Sequence, residues 1–222
     1  MKSITLLSVL LFSLFTATAQ TEATIEYQIE MSSSNPEMES QLAMFENSTM
    51  KLYMKDKMMR QETSMGGMIN TTTIVDSDAR KTLMLVDGMM GKFAAKMDLS
   101  EMDDEKETED PDLDIEFVDE TKEIVGYECK KAIVYDEDGN ESVFWYTEEI
   151  EAPKEGSKYM KEGIPGMALE FNVSQPEMSM TFTATEFSKK VKKPKELFSM
   201  EVPEGYSEKT VEELQSLMGG GK

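Results

Sequence analysis

Apolar and polar residues alternate along much of this chain, and a period of two is what sends successive side chains to opposite faces of a β-strand. In TIEYQIEM (24–31), Ile25, Tyr27, Ile29 and Met31 alternate with Glu26, Gln28 and Glu30, which predicts a half-buried strand. STMKLYM (48–54) places Met50, Leu52 and Met54 on one face, Lys55-Asp56-Lys57 turns, and MMRQETS returns. Gly66-Gly67 marks a further tight turn, and MINTTTIVD with KTLMLVD forms a pair around DSDAR. Beyond residue 112, LDIEFVD leads into EIVGYECKKAIVY, and DEDGN turns back into ESVFWYTEEI. GIPGMALEFNVS, with Met167, Leu169, Phe171 and Val173 on one face, pairs with MSMTFTATEF, where Met178, Met180, Phe182 and Ala184 line one side.

Two stretches break the strand period. In NPEMESQLAMFEN, Asn35 suits an N-cap and Pro36 the first helical position, with Met38, Leu42 and Phe45 at helical spacing. Near the end, Thr210 and Glu213 form a T-x-x-E capping box ahead of Val211, Leu214 and Leu217 or Met218. The pattern predicts a mainly β (α+β) domain. Roughly nine or ten antiparallel strands with two short helices must close into a barrel, fold over as a half-barrel or pack as a sandwich.

The ends add a compartment. MKSITLLSVLLFSLFTATAQ has a lysine, an apolar run from Ile4 to Phe15 and an A-x-A site, so residues 1–19 read as a signal peptide cleaved after Ala19. Residues 20–218 then form one domain, with an acidic loop at 98–112 and a tail at 219–222. The chain is expected in the periplasm or secreted, with no further segment apolar enough to span a membrane.

Charge narrows the partners. The formal net charge is −21, which repels nucleic acid and anionic headgroups. Residues 98–116 hold eleven acids and one lysine and read as a solvated loop. DEDGN looks like a calcium loop, but acid–glycine–asparagine clusters between strands more often make hairpin turns. The single cysteine, Cys129, lies in VGYECKK and reads as a small buried hydrophobe.

Chemistry has little footing. The chain has no histidine, so no Ser-His-Asp or Cys-His pair exists, and no G-x-S-x-G elbow or phosphate loop is present. M-x-M and M-x-x-M occur once each, at Met178/Met180 and Met65/Met68, which is no more than chance among 21 methionines. No catalytic residue, metal or cofactor is expected. The methionines read equally well as core filling or as an adaptable apolar surface.

The segments I-V-G-Y-E-C-K-K, F-W-Y-T-E-E-I, G-I-P-G-M-A-L-E-F and F-S-M-E-V-P-E-G-Y, in that order, resemble the domain of unknown function 4412 family of secreted bacterial proteins. That family looks related to the LolA/LolB-like lipoprotein carriers. The resemblance implies a curved antiparallel sheet, an open half-barrel of about 9–11 strands, whose concave side is covered by short helices and, in the carriers, holds acyl chains. On this footing an apolar ligand, an acyl chain or lipoprotein lipid, is the expected partner. Its expected lining is Tyr27, Met54, Leu85, Tyr127, Trp145, Leu169, Phe171 and Phe182. The alternative is a non-enzymatic structural or protein-interaction module of the cell envelope with a filled core.

Overall fold

The computed structural model describes residues 22–98, 100, 114–136, 139–152, 163–175 and 178–217. The expected signal peptide, most of the acidic 98–116 stretch and the 219–222 tail lie outside these residues.

The first strand, β1 (Ala23–Ser33), is followed by α1 (Pro36–Leu42) and a 3-10 turn at Ala43–Phe45. The Asn35 side chain accepts the N–H of Glu37 and Pro36 opens the helix, as expected of an N-cap and N1 pair. A regular meander then runs through β2 (Ser48–Lys55), β3 (Met58–Met65), β4 (Ile69–Asp76), β5 (Lys81–Gly88) and β6 (Gly91–Asp98). The second half comprises β7 (Asp114–Ile124), β8 (Tyr127–Tyr135), β9 (Glu141–Thr147), β10 (Met167–Gln175) and β11 (Met178–Ser188). The last elements are α2 (Pro194–Leu197), the two-residue β12 (Ser207–Glu208) and α3 (Val211–Leu217).

All twelve strands join one sheet in the order β12-β6-β5-β4-β3-β2-β1-β11-β10-β9-β8-β7. The sheet is large and open, and mainly β architecture with few short helices is what the pattern predicted. The strand number is higher than the expected 9–11, and β12 runs parallel to β6 rather than antiparallel. Two strands have no counterpart in the alternation, the two-residue β12 and β6. The alternation of β6 is obscured because Ala94 and Ala95, on opposite faces, are both buried.

The C-terminal arm explains that double burial. Met200, Val202 and Tyr206 pack on Ile74, Leu83, Leu85 and Ala94 on one face. Val211 and Leu214 pack on Val86, Ala95, Met84 and Phe93 on the other. Between them β12 adds to β6, and the Lys209 N–H donates to the Ala94 carbonyl at 2.8 Å. An open sheet edge is a template for unwanted pairing, and the arm wraps this one. The capping box closes reciprocally, Thr210 N–H to the Glu213 carboxylate at 3.0 Å and Glu213 N–H to the Thr210 hydroxyl at 3.2 Å.

Register is regular from β1 to β6, but the second half contains irregularities. Shifts fall between Glu26 and Tyr27 in the β1–β11 pair, Ala168 and Glu170 in β10–β9, and Val118 and Thr121 in β7–β8. Bulges of this kind bend strands and increase twist. Tyr127 of β8 and Phe187 of β11 lie with ring centroids 4.8 Å apart, although two strands separate theirs. A flat sheet would hold those backbones about 14 Å apart, so the sheet curls sharply here. The segment read as EIVGYECKKAIVY is two strands: Val125 and Gly126, at φ 44 and 85, make the hairpin turn between β7 and β8.

Candidate functional site

The row of side chains that register draws across the middle of the sheet is apolar and largely aromatic. Ile29 opposes Phe182, Phe182 opposes Phe171, and Phe171 opposes Phe144. Phe171 stacks on Phe182 at 4.6 Å and on Phe144 at 5.8 Å, with interplanar angles of 9° and 7°. Tyr27 meets Phe171 edge-on at 6.0 Å. Such offset and edge contacts add to the burial of the rings themselves.

Six of the eight residues expected to line a cavity belong to this one packed cluster: Tyr27, Met54, Tyr127, Leu169, Phe171 and Phe182. Their exposures run from 0 % for Leu169 to 8 % for Tyr127. Leu85 sits elsewhere, on the face occupied by Ala94 and covered by Met200, Val202 and Tyr206. Trp145 is half-buried at the cluster's margin, aligned with Glu170 and Lys131. The Lys122 ammonium lies 4.3 Å from the Trp145 ring centroid and pairs with Glu170 at 2.7 Å, so one face of the indole is already occupied.

Burial sets the electrostatics of the interior. It raises the Tyr27 phenol well above the usual range, and the nearby Cys129 thiol adds to the effect. The Tyr27 hydroxyl instead donates to the Ala168 carbonyl at 2.9 Å. Burial also pushes Cys129 from 9.0 up to about 11, against a smaller opposing pull from Lys122. A thiol held protonated is a poor nucleophile, which fits the reading of Cys129 as a buried hydrophobe.

Three clefts are bounded by described residues, and none of the eight expected residues lines these three. The first, about 460 Å³, is bounded by β1–β3, the end of β11 and residues 190–197. Its charges are cross-braced: Lys51 with Glu26, Lys193 with Glu196 at 3.0 Å, and Arg60 with Glu62 at 2.6 Å while also donating to the Leu197 carbonyl at 2.9 Å. The second, about 320 Å³, is polar, with Glu62, Thr63 and Thr72 among its walls. The third, about 450 Å³, lies beside the 3-10 turn and is lined by Ile29, Met31, Leu42 and Phe45, with Glu30 and Glu46 among its polar residues.

Among the described residues, no group of three or more His, Cys, Asp or Glu is placed to hold a metal ion. At DEDGN, Asn140 donates to both oxygens of the Asp136 carboxylate, each at 2.8 Å, which is hairpin geometry. No helix among the described residues is long and apolar enough to cross a membrane.

Fold and site together define an open, mainly antiparallel β-sheet protein with a tightly packed aromatic centre. The chain belongs to the family described as a domain of unknown function (DUF4412), whose model matches residues 26–162. A comparison with curated proteins found no match. Among solved structures it is similar to PNGF-II in the P21 space group, at TM-score 0.50 and 15 % identity, covering 90 % of this chain and 33 % of that one. The chain thus spans about a third of the length of PNGF-II. It is also similar to an uncharacterized conserved protein from Thermus thermophilus, at TM-score 0.50 and 8 % identity, covering 86 % and 91 % of the two chains. At these identities the likeness is one of fold.

Proposed function

We propose that this chain is an exported, non-enzymatic module of the cell envelope that works by binding a partner on its surface. The observation that carries this reading is the packing of Tyr27, Met54, Tyr127, Leu169, Phe171 and Phe182 on one another, at 8 % exposure or less. Side chains that already satisfy each other's dispersion contacts leave no room for a guest among them. The absence of histidine and the protonated Cys129 thiol support a role without nucleophilic catalysis. Export rests on the signal-peptide pattern of residues 1–19.

A second reading draws on one further observation. Met31, Met180 and Val173 form a half-buried apolar row one register step beyond the Phe182 row. An acyl chain or lipoprotein lipid could lie along it, as the resemblance to LolA/LolB-like carriers implies. Titration with a fluorescent fatty acid separates the two. Surface binding predicts no saturable uptake; uptake at one fatty acid per chain overturns it in favour of the carrier.

A further inference from the structure

Five large apolar side chains are exposed among the described residues, and four of them share one rim of the sheet: Met44 at 60 %, Ile69 at 42 %, Met89 at 90 % and Met90 at 66 %. Met44 lies in the β1–β2 connection, Met89 and Met90 in the β5–β6 connection, and Ile69 opens β4 just after the β3–β4 turn, all on that side. The connections touch. A Cβ on Gly66 would overlap the Met44 carbonyl, and one on Gly88 would stand 3.5 Å from the Met68 carbonyl. Scattered exposed hydrophobics are ordinary, but a contiguous set on neighbouring loops is the mark of an interaction surface.

The third cleft is lined in part by the β1–β2 connection of this rim. Glu30 and Glu46, both exposed, line it beside its apolar residues, and no lysine or arginine does. Neither carboxylate has an ion-pair partner among the described residues. The rim therefore presents methionines, which adapt to varied apolar partners, beside uncompensated negative charge. From β1 to β5 it runs four strand spacings, about 19 Å, the length of about 13 helical residues.

We propose that this rim docks a cationic amphipathic helix of a polypeptide partner. Its apolar stripe rests on Met44, Ile69, Met89 and Met90, and a lysine or arginine reaches Glu30 and Glu46. The proposal rests on the surface-binding reading above and names its partner chemistry. Charge favours a polypeptide over a bilayer: the chain, at −21, is repelled by anionic lipid, and a neutral bilayer gives Glu30 and Glu46 no counter-charge.

The test is fluorescence anisotropy of the full exported chain with a labelled 14-residue Leu/Lys peptide of helical amphipathic spacing, at about 0.15 M salt, where charges beyond about 8 Å are screened. Saturable binding is expected, weakened tenfold or more by the double substitution Met89→Ser/Met90→Ser and clearly weakened by Glu46→Lys. Glu128→Lys, beside the β7–β8 turn at the opposite end of the sheet, changes net charge equally and should leave binding unaltered. No binding, equal loss in Glu46→Lys and Glu128→Lys, or insensitivity to the methionine pair overturns the proposal. So does methionine-dependent sedimentation with phosphatidylcholine vesicles without peptide binding. Fatty-acid uptake tests the parent reading separately: no uptake with rim-insensitive peptide binding sinks the rim alone, while stoichiometric uptake sinks the surface-only reading whatever the rim does.

Discussion

The Tyr27 hydroxyl donates to the main-chain carbonyl of Ala168, 2.9 Å away and 141 residues further along the chain. The bond spans β11 and joins two irregular points, the register shift beside Tyr27 in β1 and the one beside Ala168 in β10. Tyr27→Phe keeps the ring and removes only the donor. Leaving a buried carbonyl short of a partner costs about 1–3 kcal/mol, so the urea midpoint should fall without a change in m-value. An unchanged midpoint would mean that water takes over the carbonyl.

Alkali should weaken the fold from about pH 9 upward. Burial raises the Cys129 thiol from 9.0 to about 11 and raises Tyr27 in the same direction. Below pH 9 both groups hold their protons in folded and unfolded chains alike, so they contribute no slope. Above it the unfolded chain releases protons that the folded chain retains, and stability falls with rising pH. For Cys129 the loss reaches about 2 kcal/mol by pH 11. Urea titrations at pH 8 and 10.5 should show a smaller drop for Cys129→Ala than for the parent; equal drops would refute this assignment.

Phe171 is held between Phe144 and Phe182 and is 1 % exposed. Phe171→Ala should cost about 3–5 kcal/mol, the usual penalty for emptying an aromatic site in a packed core. Met89→Ser, at the exposed hairpin tip, should shift stability by less than about 0.5 kcal/mol. Thermal unfolding of the two variants side by side measures the contrast.

The single tryptophan gives a local probe. Lys122→Met removes the ammonium above Trp145 and its pairing with Glu170. Both partners are partly exposed, so the stability change should stay under about 1 kcal/mol. The altered covering of the indole should still change the Trp145 emission spectrum, and an identical spectrum would place Lys122 away from the ring in solution.

Gly66 has φ 55 and its backbone lies against Met44. Gly66→Ala therefore meets both backbone strain and overlap, and should destabilise by more than about 1 kcal/mol. Gly67→Ala has open space and only the φ of 70 to oppose it, so it should cost less. Urea denaturation of the pair checks the order.

Strands with one buried face were easy to read from the chain. Met50, Leu52 and Met54, and Phe182 with Ala184, fall on the faces that alternation assigned, and the Asn35 cap and the Thr210–Glu213 box lie where their spacing put them. Where both faces are buried, as at Ala94 and Ala95, the period vanishes and β6 went unread. Periodicity also carries no information about which elements meet across the fold. The expected lining put Leu85 and Trp145 beside Phe171, whereas Leu85 faces the C-terminal arm and Trp145 sits under Lys122 at the cluster's margin. The rim escaped notice although a signal existed: Met89 and Met90 sit between two glycines, an apolar pair in a turn.

The central claim, an interior occupied by its own side chains, is tested most directly by native mass spectrometry of the protein purified from the cells that make it. The account predicts a mass equal to the polypeptide alone. A recurrent apolar adduct, released by organic solvent and lost when Met180 on the half-buried row is made polar, would contradict it.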